Sequence, residues 1–305
     1  MENQKGNPQI KIILAFAAIY IVWGSTFFGV LIALKSFPPL LLSALRFLIA
    51  GIAVLMVCMV RKEPFPAFED IKKNMLYGIV MFMGGVVAVV WAQQFISSSL
   101  ASIIITTPFW FVILDKKQWH FYFSEKWILT GLVTGLVGVI LLLGNKSGRV
   151  GVADEKVQLL SILLIISGSF CWVASSLHLK YNPLKTSTYV NTSVQLLTAS
   201  FVCFIISALR SEPQNLSIQA IRFDSVVAIF YLSIVSSLIT FMAYMWLIKV
   251  KPPAIVSTYS YVNPLVAVLL GWAFAGESIT PLQVLALFII LLGVLFVNIP
   301  KYKTL

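Results

Sequence analysis

The residues best placed to do chemistry cluster around two prolines. Pro264 lies in PPAIVSTYSYVNPLVAVLL, residues 252–270, an apolar run that carries Ser257, Thr258, Ser260 and Asn263 ahead of it. Pro108 lies in ASIIITTPFWFVIL, residues 101–114. Proline has no N–H and disfavours helical geometry in the residue before it, here Thr107 and Asn263. In a helix the carbonyls of Ile104 and Ser260 would then lose their partners. In hydrocarbon such backbone persists only where protein, a side chain, water or a ligand satisfies it, so Pro108 and Pro264 are candidate helix breaks beside a wet cavity. Bonding by the Thr106 or Thr107 hydroxyl is the plainer alternative.

Tyr259 and Asn263 are four residues apart and share a helix face, offering a ring and an amide together. Trp23, Trp172 and Tyr244 are candidates for further aromatic walls. Rings of this kind hold an ammonium by cation–π attraction or pack against an apolar solute, and each also fits ordinary helix packing. Thr107 and Gln195 complete the polar candidates. Arg46 is the one ionisable residue well inside an apolar run, about two turns and roughly 10 Å past Pro38-Pro39. A buried cation there must pair or reach water. Contact with a substrate carboxylate is one candidate role for it.

The elements that carry these residues are membrane spans. Of 305 residues 59% are hydrophobic and 11% charged, and the mean hydropathy is +0.95. Ten apolar runs are expected to cross the bilayer as helices, at 12–34, 40–60, 74–95, 98–114, 127–144, 158–179, 187–209, 223–248, 254–275 and 282–299. The first is too long for a cleaved signal core and is read as a retained helix. The formal charge of +11 belongs to basic loops beside apolar runs, with no nucleic-acid partner implied. Lys35, Lys146, Arg149, Lys156, Arg210 and Arg222 fall on one side, Arg46 within a span, and every other Lys and Arg on the side of the termini. Both termini are accordingly expected in the cytoplasm, and short loops fit a bacterial cytoplasmic membrane.

The chain is also duplicated. Trp23 precedes Arg46-Phe47-Leu48 by 23 residues, and Trp172 precedes Gln195-Leu196-Leu197 by the same spacing. Pro108 precedes Gly138-Val139 by 30 residues and Pro264 precedes Gly293-Val294 by 29. Residues 1–144 and 158–305 thus form two five-span repeats joined by a linker at 145–157. Five is odd, so the second repeat enters the membrane inverted, and a substrate site is expected near the midplane between the repeats.

The closing segment, with its proline in the ninth span, then Gly276-Glu277-Ser278-Ile279-Thr280, Gln283 and Gly293-Val294, resembles the EamA domain of the drug/metabolite transporter superfamily. The Arg46-Phe47 pair after a proline resembles the second helix of that family, which implies a shared structural or gating element as the alternative role for Arg46. The resemblance implies an all-α bundle of ten transmembrane helices in two inverted five-helix repeats. It further implies secondary transport, with export of an amino acid or related zwitterion as the leading expectation. Uptake of a sugar or nucleoside-like solute, or a non-transporting scaffold, are the alternatives.

Absences sharpen the expectation. No acidic residue lies well inside a span, which argues against a carboxylate-based exporter of cationic drugs. No Walker A, H-E-x-x-H or G-x-S-x-G pattern and no His-rich cluster is present, so no catalytic residue, metal or cofactor is expected. Cys58, Cys171 and Cys203 lack metal or disulfide spacing. Gly131-x-x-x-Gly135 fits close helix packing or a homodimer contact. The expected partners are thus a small-molecule substrate, the lipid bilayer and a homodimer mate.

Overall fold

A computed structural model describes residues 8–105, 107–143, 154–275 and 279–299. Within them the chain is helical and contains no strand. The first half comprises α1 (Pro8–Ala33), α2 (Pro39–Val60), α3 (Phe68–Ala92), α4 (Ser98–Ile104), α5 (Thr107–Leu114), α6 (Trp119–Ser124) and α7 (Lys126–Leu143). The second comprises α8 (Glu155–Tyr181), α9 (Thr188–Leu209), α10 (Phe223–Val250), α11 (Pro253–Val256), α12 (Tyr259–Ala275) and α13 (Pro281–Asn298). Large apolar side chains such as Leu14, Met59, Val133, Leu285 and Leu295 face outward, which only a lipid surround makes favourable.

Eight helices among the described residues are long and apolar enough to span a bilayer, or nine if the helices over Lys116–Ser124 and Lys126–Leu141, bent by 94°, act together. The expected single helix at 98–114 is two short ones, α4 and α5, and the span expected at 127–144 counts only together with α6, so the expected ten is not reached by length. Pro108 occupies the first turn of α5, where a missing N–H costs nothing. Pro264 does not mark a break. It sits within continuous α12, and the interruption in that span falls earlier, at Ser257 and Thr258. There the hydroxyls of Ser257, Thr258 and Ser260 donate to the carbonyls of Ala254, Ile255 and Ser257 at 2.6, 2.6 and 3.1 Å; the Ile255 and Ser257 carbonyls also accept from the Thr258 and Ser260 nitrogens, so it is the Ala254 carbonyl whose lost backbone partner a hydroxyl replaces.

The helix pairing has the exchange symmetry of an inverted repeat. The second helices of the halves, α2 and α9, pack together, as do the fifth, α7 and α13. The third helix of each half packs on the first of the other, α3 on α8 and α10 on α1. The interrupted spans cross likewise, α4 against α12 and α5 against α11. The α7–α13 contact depends on glycine: a Cβ on Gly293 would fall 2.5 Å from the Gly135 nitrogen and 2.7 Å from the Gly131 oxygen. The close approach offered by Gly131-x-x-x-Gly135 is thus made within the chain.

Two features had no sequence forecast. α3 and α10 each contain a ten-residue stretch wound wide, with i to i−5 hydrogen bonds, at Gly78–Val87 and Tyr231–Thr240. These stretches occupy equivalent places in the two halves and both reach the centre of the bundle. In addition, Glu212 of the second half caps α2 of the first, accepting from the Leu41 and Leu40 nitrogens at 2.9 and 3.5 Å and from the Ser207 hydroxyl at 2.9 Å. That carboxylate satisfies N-terminal amides that Pro38 leaves without a side-chain partner.

Candidate functional site

A cavity lies between the halves, from mid-bundle toward the end that carries residues 34–38. It offers about 110 Å³ to the centres of water-sized molecules, room for several waters or one small solute. Its walls come from the later half of α1 (Trp23, Thr26, Phe27, Val30), from α2 (Arg46), from the wide stretches of α3 and α10 (Phe82, Gly85, Val86, Ser236, Ser237), and from α8 and α12 (Trp172, Tyr259, Asn263). Wide turns push side chains and carbonyls out of helical register and recur at functional sites. Here they bring two serines to the Arg46 guanidinium.

Arg46 is 6% exposed. Its Nε donates to the Ser237 hydroxyl at 2.7 Å and its Nη2 to the Ser236 hydroxyl at 3.0 Å. Among the described residues no carboxylate pairs with it. An unpaired buried cation costs several kcal/mol, so the cavity wall presents a charge that an anionic group would neutralise.

The floor is aromatic. Trp23 meets Trp172, Tyr244 and Tyr259 with ring centroids 5.6, 5.0 and 4.7 Å apart. Trp23 and Trp172, equivalent positions of the repeats, therefore touch edge to face across the pseudo-symmetry axis. The Trp172 Nε1 donates to the Tyr244 hydroxyl at 3.0 Å, and that hydroxyl donates to Ser176 Oγ at 2.8 Å. The polar edges are consumed inside the protein, which leaves ring faces to the cavity.

Of the residues singled out from sequence, Trp23, Arg46, Trp172, Tyr259 and Asn263 line this cavity together. Tyr244 lies behind its wall, fully buried. Gln195 is elsewhere: its Nε2 donates to Asn74 Oδ1 at 2.8 Å, and Asn74 donates to Asn191 Oδ1 at 2.8 Å. The inverted repeat explains this. Gln195 is the counterpart of Arg46, so it occupies the mirrored depth near the opposite end. The side chain of Thr107 lies outside the described residues, as does the turn at Gly276–Ser278.

Gln93 and the serine pair were missed. Gln93 falls near the end of the expected span 74–95, where nothing singles it out, yet it is 4% exposed with its Nε2 donating to the Phe27 carbonyl at 2.9 Å. The signal that pointed to α10 is its polar run, Ser233, Ser236, Ser237 and Thr240. Two buried oxygens in the cavity wall lack a donor, Gln93 Oε1 and Asn263 Oδ1, each at a cost of about 1–3 kcal/mol.

The opposite end is sealed. Tyr20 meets Thr258 at 2.6 Å. Asp115, 1% exposed, accepts from the Tyr122 hydroxyl at 2.8 Å and, across the halves, from Tyr181 at 2.5 Å. Burial pushes the Asp115 carboxyl above the usual carboxylate range, against the opposing pull of both tyrosines, Lys180 and Lys117. Sequence placed Asp115 only as a flank of a span.

An all-helical, membrane-spanning pair of inverted repeats, closed at one end around a polar and aromatic cavity, is an architecture suited to a membrane transporter. The chain belongs to the EamA-like transporter family, whose model matches it twice, over residues 9–144 and 159–299. It is 31% identical over 292 residues to a protein of Escherichia coli K12 named as an uncharacterized inner membrane transporter, YedA, covering 94% of this chain and 90% of that one. It is 22% identical to an uncharacterized transporter of Bacillus subtilis, YoaV, with 95% and 97% covered. It is 21% identical to a Salmonella typhimurium protein named "probable amino-acid metabolite efflux pump", with 93% of each chain covered. A crystal structure of a protein 18% identical superimposes with a TM-score of 0.75 over 95% of this chain and 98% of that one, which carries the fold alone.

Proposed function

We propose that this transporter exports a small zwitterion, an amino acid or close relative, by alternating access of the cavity between its halves. The observation that carries the reading is Arg46: a guanidinium held in the cavity wall by two serines, with no carboxylate of the described chain to neutralise it. A substrate carboxylate supplies that charge, and guanidinium is the side chain best shaped to receive it. The aromatic floor suits the apolar part of such a solute. The name of the Salmonella relative supports the same class. The distribution of Lys and Arg supports both termini in the cytoplasm, and the E. coli relative's name supports a bacterial inner membrane.

The test is a ligand-induced thermal shift of the purified protein against amino acids, sugars, nucleosides and organic cations. A ligand that binds only the folded state raises stability by about 2.7 kcal/mol at a hundredfold excess over Kd. The expected result is a response confined to certain amino acids and lost in Arg46→Gln. A response confined to sugars or nucleosides, retained in Arg46→Gln, overturns the reading. Accumulation of the responding amino acid in inside-out vesicles, and not in right-side-out ones, establishes export.

A further inference from the structure

We propose that Gln93 and Asn263 form a second subsite in the cavity, a pair of amide oxygens that accepts the primary ammonium of the transported zwitterion. The inference rests on the zwitterion reading above and extends it to the other end of the substrate.

Gln93 ends α3 and Asn263 lies in α12, so the subsite draws on both halves, and both side chains line the cavity that holds Arg46. Gln93 is 4% and Asn263 2% exposed. The Gln93 amide is oriented by its Nε2, which donates to the Phe27 carbonyl at 2.9 Å. A carbonyl can only accept, so the nitrogen must face it and Oε1 is left without a donor. Asn263 Oδ1 likewise has none. Among the described residues only one other buried side-chain polar atom is unpartnered, Trp110 Nε1, and Trp110 does not line the cavity. Among the described residues, both buried side-chain acceptors without a donor thus belong to residues that line this one cavity.

The two polar regions of the cavity are opposite in kind. Guanidinium offers donors and positive charge. The two unpartnered amide oxygens offer acceptors without charge. A carboxylate is attracted to the first and repelled by the lone pairs of the second, whereas an ammonium behaves in the reverse way. An ammonium carries three donors: two reach the amide oxygens, and the third side can rest on the ring face of Trp23, Trp172 or Tyr259, which attracts cations. The subsite uses neutral amides where a carboxylate would hold the cation more tightly. Transport needs a site that binds and also releases, and neutral acceptors meet that need. A neutral polyol would satisfy the amides and leave Arg46 unpaired, so the two subsites together select a zwitterion.

The test uses the full-length protein in proteoliposomes. Each of the twenty L-amino acids is screened by thermal shift, and the strongest responder is compared with its α-hydroxy acid, in which hydroxyl replaces ammonium, and with its decarboxylated amine. Wild type is expected to prefer the amino acid over the hydroxy acid by at least about tenfold, because a site built for N–H donors rejects an analogue lacking them. Gln93→Met and Asn263→Leu are expected to reduce that preference several-fold. Asn263→Asp is expected to shift preference toward the amine, a gain that misfolding cannot produce. Equal binding of amino acid and hydroxy acid by wild type overturns the subsite and leaves the carboxylate role of Arg46 standing. Variants that weaken both ligands in the same ratio also overturn it. No response to any amino acid overturns the zwitterion reading and the subsite with it.

Discussion

Among the described residues the Arg46 guanidinium is hydrogen-bonded to the Ser236 and Ser237 hydroxyls and to no carboxylate, and two consequences follow for its variants. A lysine keeps the charge but loses the planar fork that meets Ser236, Ser237 and a carboxylate together. Arg46→Lys is expected to weaken amino-acid binding by about tenfold, and Arg46→Gln by about thirtyfold or more, as truncating one member of a buried charge pair costs about 2–5 kcal/mol. Titration calorimetry on the two variants checks both the order and the size. Asp115 gives a prediction of a different kind. Its carboxyl holds its proton more tightly in the folded protein than in the unfolded chain, so the folded state binds more protons from the ordinary carboxylate value upward. Stability must then fall as pH rises through that window. Melting measured from about pH 4 to pH 7 should show the wild type losing stability and Asp115→Asn losing less. A steeper decline in the variant would contradict burial as the dominant influence. Arg46 was legible in sequence because a lone cation in an apolar run has few roles. Asp115 was not, because a residue that flanks a span looks solvated until its tyrosine partners, 7 and 66 residues away, are brought to it.

At the level of elements, the sequence announced the positions of most spans but little of their internal geometry. The apolar runs at 40–60 and 187–209 match α2 and α9 because length and hydropathy determine a spanning helix. The wide turns in α3 and α10 follow from packing: the backbone spreads where Gly84-Gly85 and the serines of α10 meet the opposite half, and no local propensity encodes that. Pro264 misled for a related reason. A proline near the start of a helix loses only one bond, while the chain can break earlier where a hydroxyl is present to satisfy the freed carbonyl, as Ser257 does for Ala254. Glycine gave the firmer signal. At Gly293 a methyl would strike backbone on both Gly131 and Gly135, and neither can move without separating α7 from α13. Gly293→Ala is expected to lower stability by about 1–3 kcal/mol, read as an earlier unfolding transition in detergent. The pair lies away from the cavity wall, so the Kd for whichever ligand the thermal-shift screen identifies should stay within about twofold of wild type among the molecules that remain folded.

At the level of the whole molecule, the inverted repeat predicts a second conformation from the first. If the halves exchange conformations, the cavity closes around Arg46 and opens at the opposite end, where the counterparts of its lining residues lie. Trp23 and Trp172 mark the axis, and the common spacing of 23 residues from each carries Arg46 to Gln195. In the present conformation Gln195 is 1% exposed and bonded to Asn74, whereas Thr26 lines the open cavity. This gives Gln195, which has no role in the cavity seen here, a definite one: it should line the cavity of the other state. A cysteine placed at each position in turn, with Cys58, Cys171 and Cys203 replaced, reports the exchange through a water-soluble thiol reagent. Conditions that favour the opposite-facing state should slow labelling at Thr26→Cys and speed it at Gln195→Cys, each by several-fold. Asp115→Asn, by loosening the link to Tyr181 across the halves, should shift both rates in that same direction without added substrate. Parallel changes at the two positions would indicate general loosening of the bundle, and unchanged rates would mean that the halves do not trade places. Only opposed changes fit a transporter whose two faces are built from one duplicated fold.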